Sequence, residues 1–214
     1  MNKKTYSIDE NVTILVRAHG DLALQGWEQK EVYPLTESRR TLSVQMEGEI
    51  MRISLLDDGE LFVPEGASIQ VERVGGDAYI RRLTGKLAVE RVGGDLSLQD
   101  VLDVAVATVG GDCVAVGVTG AFAIHRVGGD MIASAMNGSI SMSNVGGDVD
   151  LQMAGGNADV KAGGDLCLSL DQTGQQMLNL RASGDINVYL PKEPSAEFNI
   201  LSRGEGIRLR LSGG

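Results

Sequence analysis

The sequence predicts an all-β fold, a single-stranded parallel β-solenoid (β-helix) with about 18 residues in each coil. A Val-Gly-Gly-Asp motif occurs five times and is followed by two looser copies, at spacings of 17 to 20 residues. The copies begin at Val74, Val92, Val109, Val127, Val145, Ala162 and Ala182. Recurrence of the same residues at one fixed period is typical of coils that stack in register.

Apolar residues alternate with mixed residues after each motif, which indicates strands with one buried face. Two apolar columns follow the column of motif starts. The residues after the aspartates are Ala78, Leu96, Cys113, Met131, Val149, Leu166 and Ile186; those two positions later are Ile80, Leu98, Ala115, Ala133, Leu151, Leu168 and Val188. A helix fits poorly, because each interior glycine would cost about 1 kcal/mol. Antiparallel hairpins are the better competitor, since glycine-rich turns also make hairpins.

A second, weaker unit of nine residues lies between the motifs, as in LTGKLAVER at 83–91, VTGAFAIHR at 118–126 and MNGSISMSN at 136–144. Two such nonapeptide-like units make one coil, with two main strands and two glycine-containing corners. A three-sided coil with a short third strand fits the spacing as well. We expect a right-handed coil, because most β-helices are right-handed.

The whole chain, 1–214, is predicted to be one solenoid domain. Residues 61–190 carry the regular repeats, and 191–214 keep the alternation without the strict period. Residues 1–60 are irregular early coils or an N-terminal cap. Such a cap would address a general problem of solenoids, whose ends expose unpaired strand edges.

The net charge of −10 and the pI near 4.7 limit the possible partners. Nucleic acid needs a basic face, and anionic lipid attracts basic segments, so neither partner is expected. No secretory signal or membrane-spanning run is visible in the sequence. We therefore expect a cytoplasmic chain, or a cell-surface one if a leader has been removed.

The corner aspartates are the sharpest chemical feature of the sequence. Stacked carboxylates about 4.8 Å apart repel one another, so exposure, turn N–H groups or cations must offset the repulsion. We expect structural turn aspartates, with a calcium-binding β-roll as the alternative. The calcium candidates are Asp77, Asp95, Asp112, Asp130, Asp148 and Asp165.

The paired glycines are predicted to be structural and to supply positive φ angles at the corners. They do not form a phosphate-binding loop, because no helix and no nearby Lys or Arg follows them. The predicted turn glycines are Gly75, Gly76, Gly93, Gly94, Gly110, Gly111, Gly128, Gly129, Gly146, Gly147, Gly163 and Gly164.

No enzymatic activity, metal or cofactor is predicted. His19 and His125 lack metal-ligand neighbours in the sequence and are expected in solvent. Cys113 is expected inward and Cys167 outward, three coils apart and too distant for a disulfide. The charges of the early coils are expected on a solvated face with cross-coil Glu–Arg pairs. They are Glu72, Arg73, Arg81, Arg82, Lys86, Glu90 and Arg91.

The run VPEGASIQVERVGGDAYIRRLTGKLAVERVGGDLSLQDV, at 63–101, resembles the bacterial β-strand-repeat proteins labelled "putative adhesins". Those proteins share the VPEGA segment and the reiterated Val-x-Gly-Asp turns, and the likeness covers at least 60–190. The resemblance implies a single-stranded parallel β-helix and carries no active site over to this chain. A looser resemblance is to bactofilins, cytosolic β-helix scaffolds that polymerise end to end.

These observations favour a non-enzymatic scaffold or protein-interaction module whose partner is a protein, including a second copy of itself in a homo-oligomer or filament. One alternative is a surface adhesin or carbohydrate-binding module, and a second is the calcium-binding β-roll. Fold analogy alone warrants no choice among them, because one fold carries many functions.

Overall fold

The computed structural model describes residues 5–9, 11–36, 41–172, 174–192, 196–204 and 206–211. These residues form β-strands and no α-helix, and none of them belongs to a helix long and apolar enough to cross a membrane. The strands are β1 Tyr6–Ser7, β2 Thr13–Ala18, β3 Leu22–Trp27, β4 Glu31–Leu35, β5 Leu42–Glu47, β6 Ile50–Leu55, β7 Gly59–Pro64, β8 Ser68–Val74, β9 Ala78–Val92, β10 Leu96–Val109, β11 Cys113–Val118, β12 Phe122–Val127, β13 Met131–Asn137, β14 Ile140–Val145, β15 Val149–Gly155, β16 Ala158–Ala162, β17 Leu166–Leu170, β18 Met177–Ala182, β19 Ile186–Leu190, β20 Glu197–Ser202 and β21 Ile207–Leu211.

The strands stack in two parallel ladders that run along the solenoid. The first ladder is β7, β3, β9, β10, β11, β13, β15, β17, β19 and β21 in stacking order. The second ladder is β6, β2, β8, β9, β10, β12, β14, β16, β18 and β20. Strands β9 and β10 belong to both ladders, because each continues from one face of the coil to the next. The parallel β-solenoid predicted from the sequence is confirmed.

From β8 to β21 the chain order and the stacking order coincide for about eight turns. The motif-start column lies in register, so that Val92 pairs with Val109 and Val109 with Val127. All three of these valines are at most 1% exposed. Like side chains therefore pile on one another through the interior, and antiparallel hairpins do not account for the repeats.

Each regular coil has a third buried position at the bend between the two ladders. In the first regular coils it is held by Leu83, Val101 and Val118, which lie in register and are at most 2% exposed. The residue just before it adopts a positive φ in several coils, as Arg82 does at 60° and Gly117 at 71°. The inward position and the sharp bend give each coil a short third side.

The first two coils stack in an order that the sequence period does not indicate. Strands β2 and β3 lie between the coil of β6 and β7 and the regular coils that begin at β8 and β9. After β3 the chain leaves the stack, forms β4 and β5, and returns as an outer coil. Residues 50–64 therefore lie nearer the end of the rod than residues 13–27.

Candidate interaction site

The corner aspartates tie each coil to the next through their side chains. The N–H of Asp95 donates a hydrogen bond to Oδ1 of Asp77 over 2.8 Å. The same contact recurs from Asp58 in the outermost coil to Asp185, whose Oδ1 accepts the N–H of Gly206 at 3.0 Å. These bonds offset the repulsion between stacked carboxylates, so the arrangement has the geometry of a structural corner.

The corner glycines are needed for a different reason from the one predicted. Among the described glycines only Gly48, Gly117 and Gly156 have positive φ, so the expected positive φ at the paired corner glycines is wrong. A Cβ on Gly93 would lie against the carbonyl oxygen of the glycine stacked beneath it. A Cβ on Gly94 would lie against Oδ1 of Asp77. Close stacking of the coils therefore excludes side chains here.

The calcium candidates occupy one column, with one carboxylate in each coil. Their Oδ1 atoms already accept backbone hydrogen bonds from the neighbouring coil, which leaves Oδ2 as the free oxygen. An aspartate at the opposite corner makes the same kind of bond: Oδ1 of Asp103 accepts a hydrogen bond from the N–H of Ala121 over 2.9 Å. Within the described part of the chain, no three His, Cys, Asp or Glu side chains converge as a cation cage would require.

The structure does not bring the cysteines and histidines together. Cys113 is buried, as predicted, whereas Cys167, which was expected outward, is half-buried; both are free thiols. Burial raises the pKa of Cys113 to about 12; burial, and then the negative charge of Asp150, raise the pKa of Cys167. Both histidines are exposed, as expected: Nδ1 of His19 lies 3.2 Å from the carbonyl oxygen of Leu55, and His125 lies on the outer face of the second ladder. A raised thiol pKa is the opposite of what a nucleophilic cysteine needs.

The early-coil charges lie on the outside, and one of them, Glu72, forms a cross-coil pair with an arginine outside the predicted set. Arg17 bonds Glu72 at 3.0 Å, while Arg81 donates to Oε1 of Gln25 at 2.7 Å. Exposed pairs of this kind contribute a few tenths of a kcal/mol, up to about 1 kcal/mol. These pairs lie on the solvated surface and do not form a binding site.

The first end of the rod is covered by β1, β4 and β5, which pair as antiparallel strands. Strand β4 pairs with β7, β1 pairs with β4, and β5 pairs with β6. Three aromatic rings pack together on the outer side, with ring centroids of Trp27 and Tyr33 lying 5.6 and 5.9 Å from that of Phe62. The sequence does not reveal this cluster, because its members are far apart in the chain.

A cleft of about 320 Å³ opens beside this aromatic cluster. Its walls include Trp27, Pro64 and the acidic residues Asp9, Glu28 and Glu65. The indole N–H of Trp27 donates a hydrogen bond to the backbone carbonyl oxygen of Glu31 over 2.7 Å, which fixes the ring. The cleft therefore combines a fixed aromatic ring with carboxylates, while the buried interior is wholly apolar among the described residues.

The last coil, formed by β20 and β21, differs from every coil before it. Ile207, Leu209 and Leu211 continue the inward columns of β19 but are 46%, 53% and 59% exposed. The residues on which they stack, Ile186, Val188 and Leu190, are at most 4% exposed. Phe198 and Ile200 continue the second ladder in the same way and are half-buried. Among the described residues, nothing covers the interior of the solenoid at this end.

The backbone of the last coil is also unpaired on its outer side. Strand β20 pairs with β18, and β21 pairs with β19; no other described strand pairs with either. An edge of this kind carries free N–H and C=O groups that can pair with another chain. Open edges and exposed apolar side chains together make the last coil the candidate interaction site. Sequence reasoning pointed to unpaired strand edges at the coil ends and to residues 1–60 as a possible cap for the first of them.

The sequence matches no protein-family model and no curated protein. Solved structures resemble the fold over nearly the whole chain. A protein of Bacteroides fragilis described as a "putative adhesin" is 11% identical, with 98% of this chain and 95% of that chain covered and a TM-score of 0.43. A Parabacteroides distasonis protein with the same description is 11% identical, with 97% and 96% covered and a TM-score of 0.42.

A second Parabacteroides distasonis protein, described as a "putative lipid binding protein", is 12% identical, with coverages of 97% and 96% and a TM-score of 0.39. Two of these descriptions coincide with the group that the sequence resembles. The resemblance to bactofilins stays a prediction. Likenesses at these scores carry no argument about ligands or partners, so the candidate site rests on the geometry of the last coil.

Proposed function

We propose that this chain is a non-enzymatic β-solenoid scaffold that associates with a second copy of itself through the last coil. The observation that carries the proposal is the loss of cover at β20 and β21. The inward columns are closed in every regular coil and half-exposed in the last one. Burial of apolar area is the main favourable term in association, and edge pairing adds specificity.

The clustering of the exposed apolar side chains supports a partner of this kind. Leu209 and Leu211 lie with Ile207 on one strand, and Phe198 and Ile200 lie on the neighbouring face of the coil. Clustered apolar side chains at an exposed edge mark interaction surfaces more often than scattered ones do. A further coil is the shape that covers them, and a second copy supplies strands of the right geometry.

The test is the association of purified protein, measured by sedimentation velocity over a wide concentration range. Leu209→Lys places a charge on the inward side of the last coil. It should weaken association at least about tenfold, because burying an unpaired charge costs more than 1.4 kcal/mol. The matched control is Leu201→Lys, which changes an outward leucine of the same coil that is already 54% exposed.

We expect the wild-type chain and Leu201→Lys to associate alike, and Leu209→Lys to remain monomeric. A wild-type chain that sediments as one monomeric species at every concentration overturns the proposal. Equal association of the two lysine variants also overturns it, because the inward side of the last coil would then be irrelevant.

The cleft beside Trp27 supports a second candidate function, carbohydrate binding. An aromatic ring offers an apolar face, and carboxylates accept hydrogen bonds from hydroxyl groups. Glu65 lines the cleft, whereas Glu60 lies outside it. Calorimetric titration with soluble oligosaccharides should show binding that Glu65→Gln weakens and the control Glu60→Gln leaves unchanged. No heat with any oligosaccharide removes this candidate.

A further inference from the structure

We infer that copies of this chain join head to tail, with the last coil of one copy against the first end of the next. This inference rests on the proposed self-association and adds its polarity. A head-to-tail contact is heterologous, so it builds an open filament, whereas a tail-to-tail contact is isologous and stops at a dimer. The charges and the exposed apolar side chains at the two ends of the rod favour the head-to-tail contact over the tail-to-tail one.

The charge of the chain is divided unevenly along the rod. The described residues of 1–65, at the first end and in the coils beside it, include ten acidic and three basic residues. The described residues of 191–214, in and just before the last coil, include one acidic and four basic residues. The described part of the last segment is therefore positive in a chain whose net charge is −10. Complementary charge orients partners and suppresses contacts between like charges.

The basic residues lie at the open edge itself. Arg208 and Arg210 project from β21, and Arg203 follows β20. Arg208 contacts Asp185 at 3.4 Å, and the guanidinium of Arg210 lies 5.8 Å from the ring centroid of Tyr189. A tail-to-tail dimer would bring this set against its own copy. A head-to-tail contact brings it against the first end instead, where acidic side chains outnumber basic ones among the described residues.

The first end offers acidic and apolar groups on one exposed strand. Glu49 is exposed just after β5, and Glu47 is exposed at its end, where it also bonds Arg52 at 3.0 Å. Met46 is 50% exposed on the inward side of β5, where Val44 is half-buried and pairs with Ile53. Strand β5 therefore presents apolar side chains in the same ladder in which β20 ends.

Strand direction agrees with this pairing. Strand β5 is antiparallel to β6, whereas β20 runs parallel to its whole ladder. In a head-to-tail stack that continues the second ladder, β20 of one copy therefore meets β5 of the next as an antiparallel pair. Antiparallel pairs are slightly more stable per residue than parallel ones. In the first ladder β1 runs parallel to β7, because each is antiparallel to β4, so β21 of one copy would meet β1 of the next as a parallel pair.

The experiment is a mixing test with two variants that are each blocked at one end. Met46→Lys alters the first end and Leu209→Lys alters the last coil; both side chains are half-exposed, so the lysines reach solvent. Sedimentation velocity should show that each variant alone is monomeric. An equimolar mixture should form a species of twice the monomer mass, because one intact last coil meets one intact first end.

The control variants Gln45→Lys and Leu201→Lys add the same charge on outward positions and should assemble as the wild-type chain does. Dimers of Met46→Lys alone, with no gain on mixing, overturn the head-to-tail inference and leave the proposed function standing. A wild-type chain that never associates overturns both. If a lysine variant loses its β-sheet circular dichroism, Met46→Gln and Leu209→Gln, which weaken the apolar contact without adding a charge, repeat the mixing test with the same outcomes.

Discussion

The regular coils and the last coil follow one pattern of side chains with opposite results. Leu168, Val188 and Leu209 occupy one inward column on successive strands of the first ladder. The first two are fully buried, and the third is 53% exposed. The difference lies in the neighbour and not in the residue, since an inward leucine is buried only when a further coil covers it. A solenoid therefore needs a cap or a partner at each end.

The largest effect should come from making the same truncation at both places in this column. Leu168→Ala leaves a cavity between two coils and should lower the free energy of unfolding by about 3 kcal/mol. Leu209→Ala should lower it by about 1 kcal/mol or less in the monomer, because half of the side chain already meets water. Urea denaturation at low protein concentration measures both. Equal losses would contradict the contrast between covered and open coils.

Corner stacking gives the next largest effect. Gly94→Ala places a methyl group against Oδ1 of Asp77, which is held by the N–H of Asp95. We expect a loss of about 2 kcal/mol, the usual cost of overpacking. The control is Gly66→Ala, where the nearest atom is Oγ1 of Thr84 at 3.9 Å. Thermal unfolding of the two variants should separate them clearly, and similar melting temperatures would refute close stacking as the reason for glycine.

The aspartate ladder should give a smaller effect. Asp112→Ala removes the acceptor for the N–H of Asp130 and should cost about 1 kcal/mol. Asp112→Asn keeps an acceptor and removes one repelling charge, so its stability should match or exceed that of the wild-type chain. Unfolding in the presence and absence of calcium also tests the β-roll alternative. A large stabilisation by calcium that both variants reduce would favour metal binding.

The thiols give the smallest effect, which is confined to high pH. Burial raises the folded-state pKa of Cys113 from 9.0 to about 12, so unfolding favours ionisation above pH 9. The contribution of the protonated thiol to the free energy of unfolding is fully present below pH 9 and is lost between pH 9 and 12. Cys113→Val should show a weaker decline in that range. Melting temperatures across the range measure the difference, and identical slopes would contradict burial of the thiol.

The repeat period predicted the register of the regular coils, because each column of like residues has to stack on itself to be buried. The same period could not predict the order of the first two coils. Residues 13–27 and 50–64 both carry alternating strands, and which lies outside depends on pairing with β4 and β5. The reason for the paired glycines was also hidden, since contact between coils leaves no local signal. The exposure of the last coil was not visible in its sequence either, because Ile207, Leu209 and Leu211 keep the alternation of the buried coils.

The central claim, that a second copy covers the last coil, is tested most directly by hydrogen–deuterium exchange at low and high protein concentration. The account predicts that amides of 197–211 exchange more slowly as concentration rises, because their edge becomes paired. Amides of 113–118, inside the regular stack, should exchange at the same rate throughout. Exchange in 197–211 that does not depend on concentration would contradict the account.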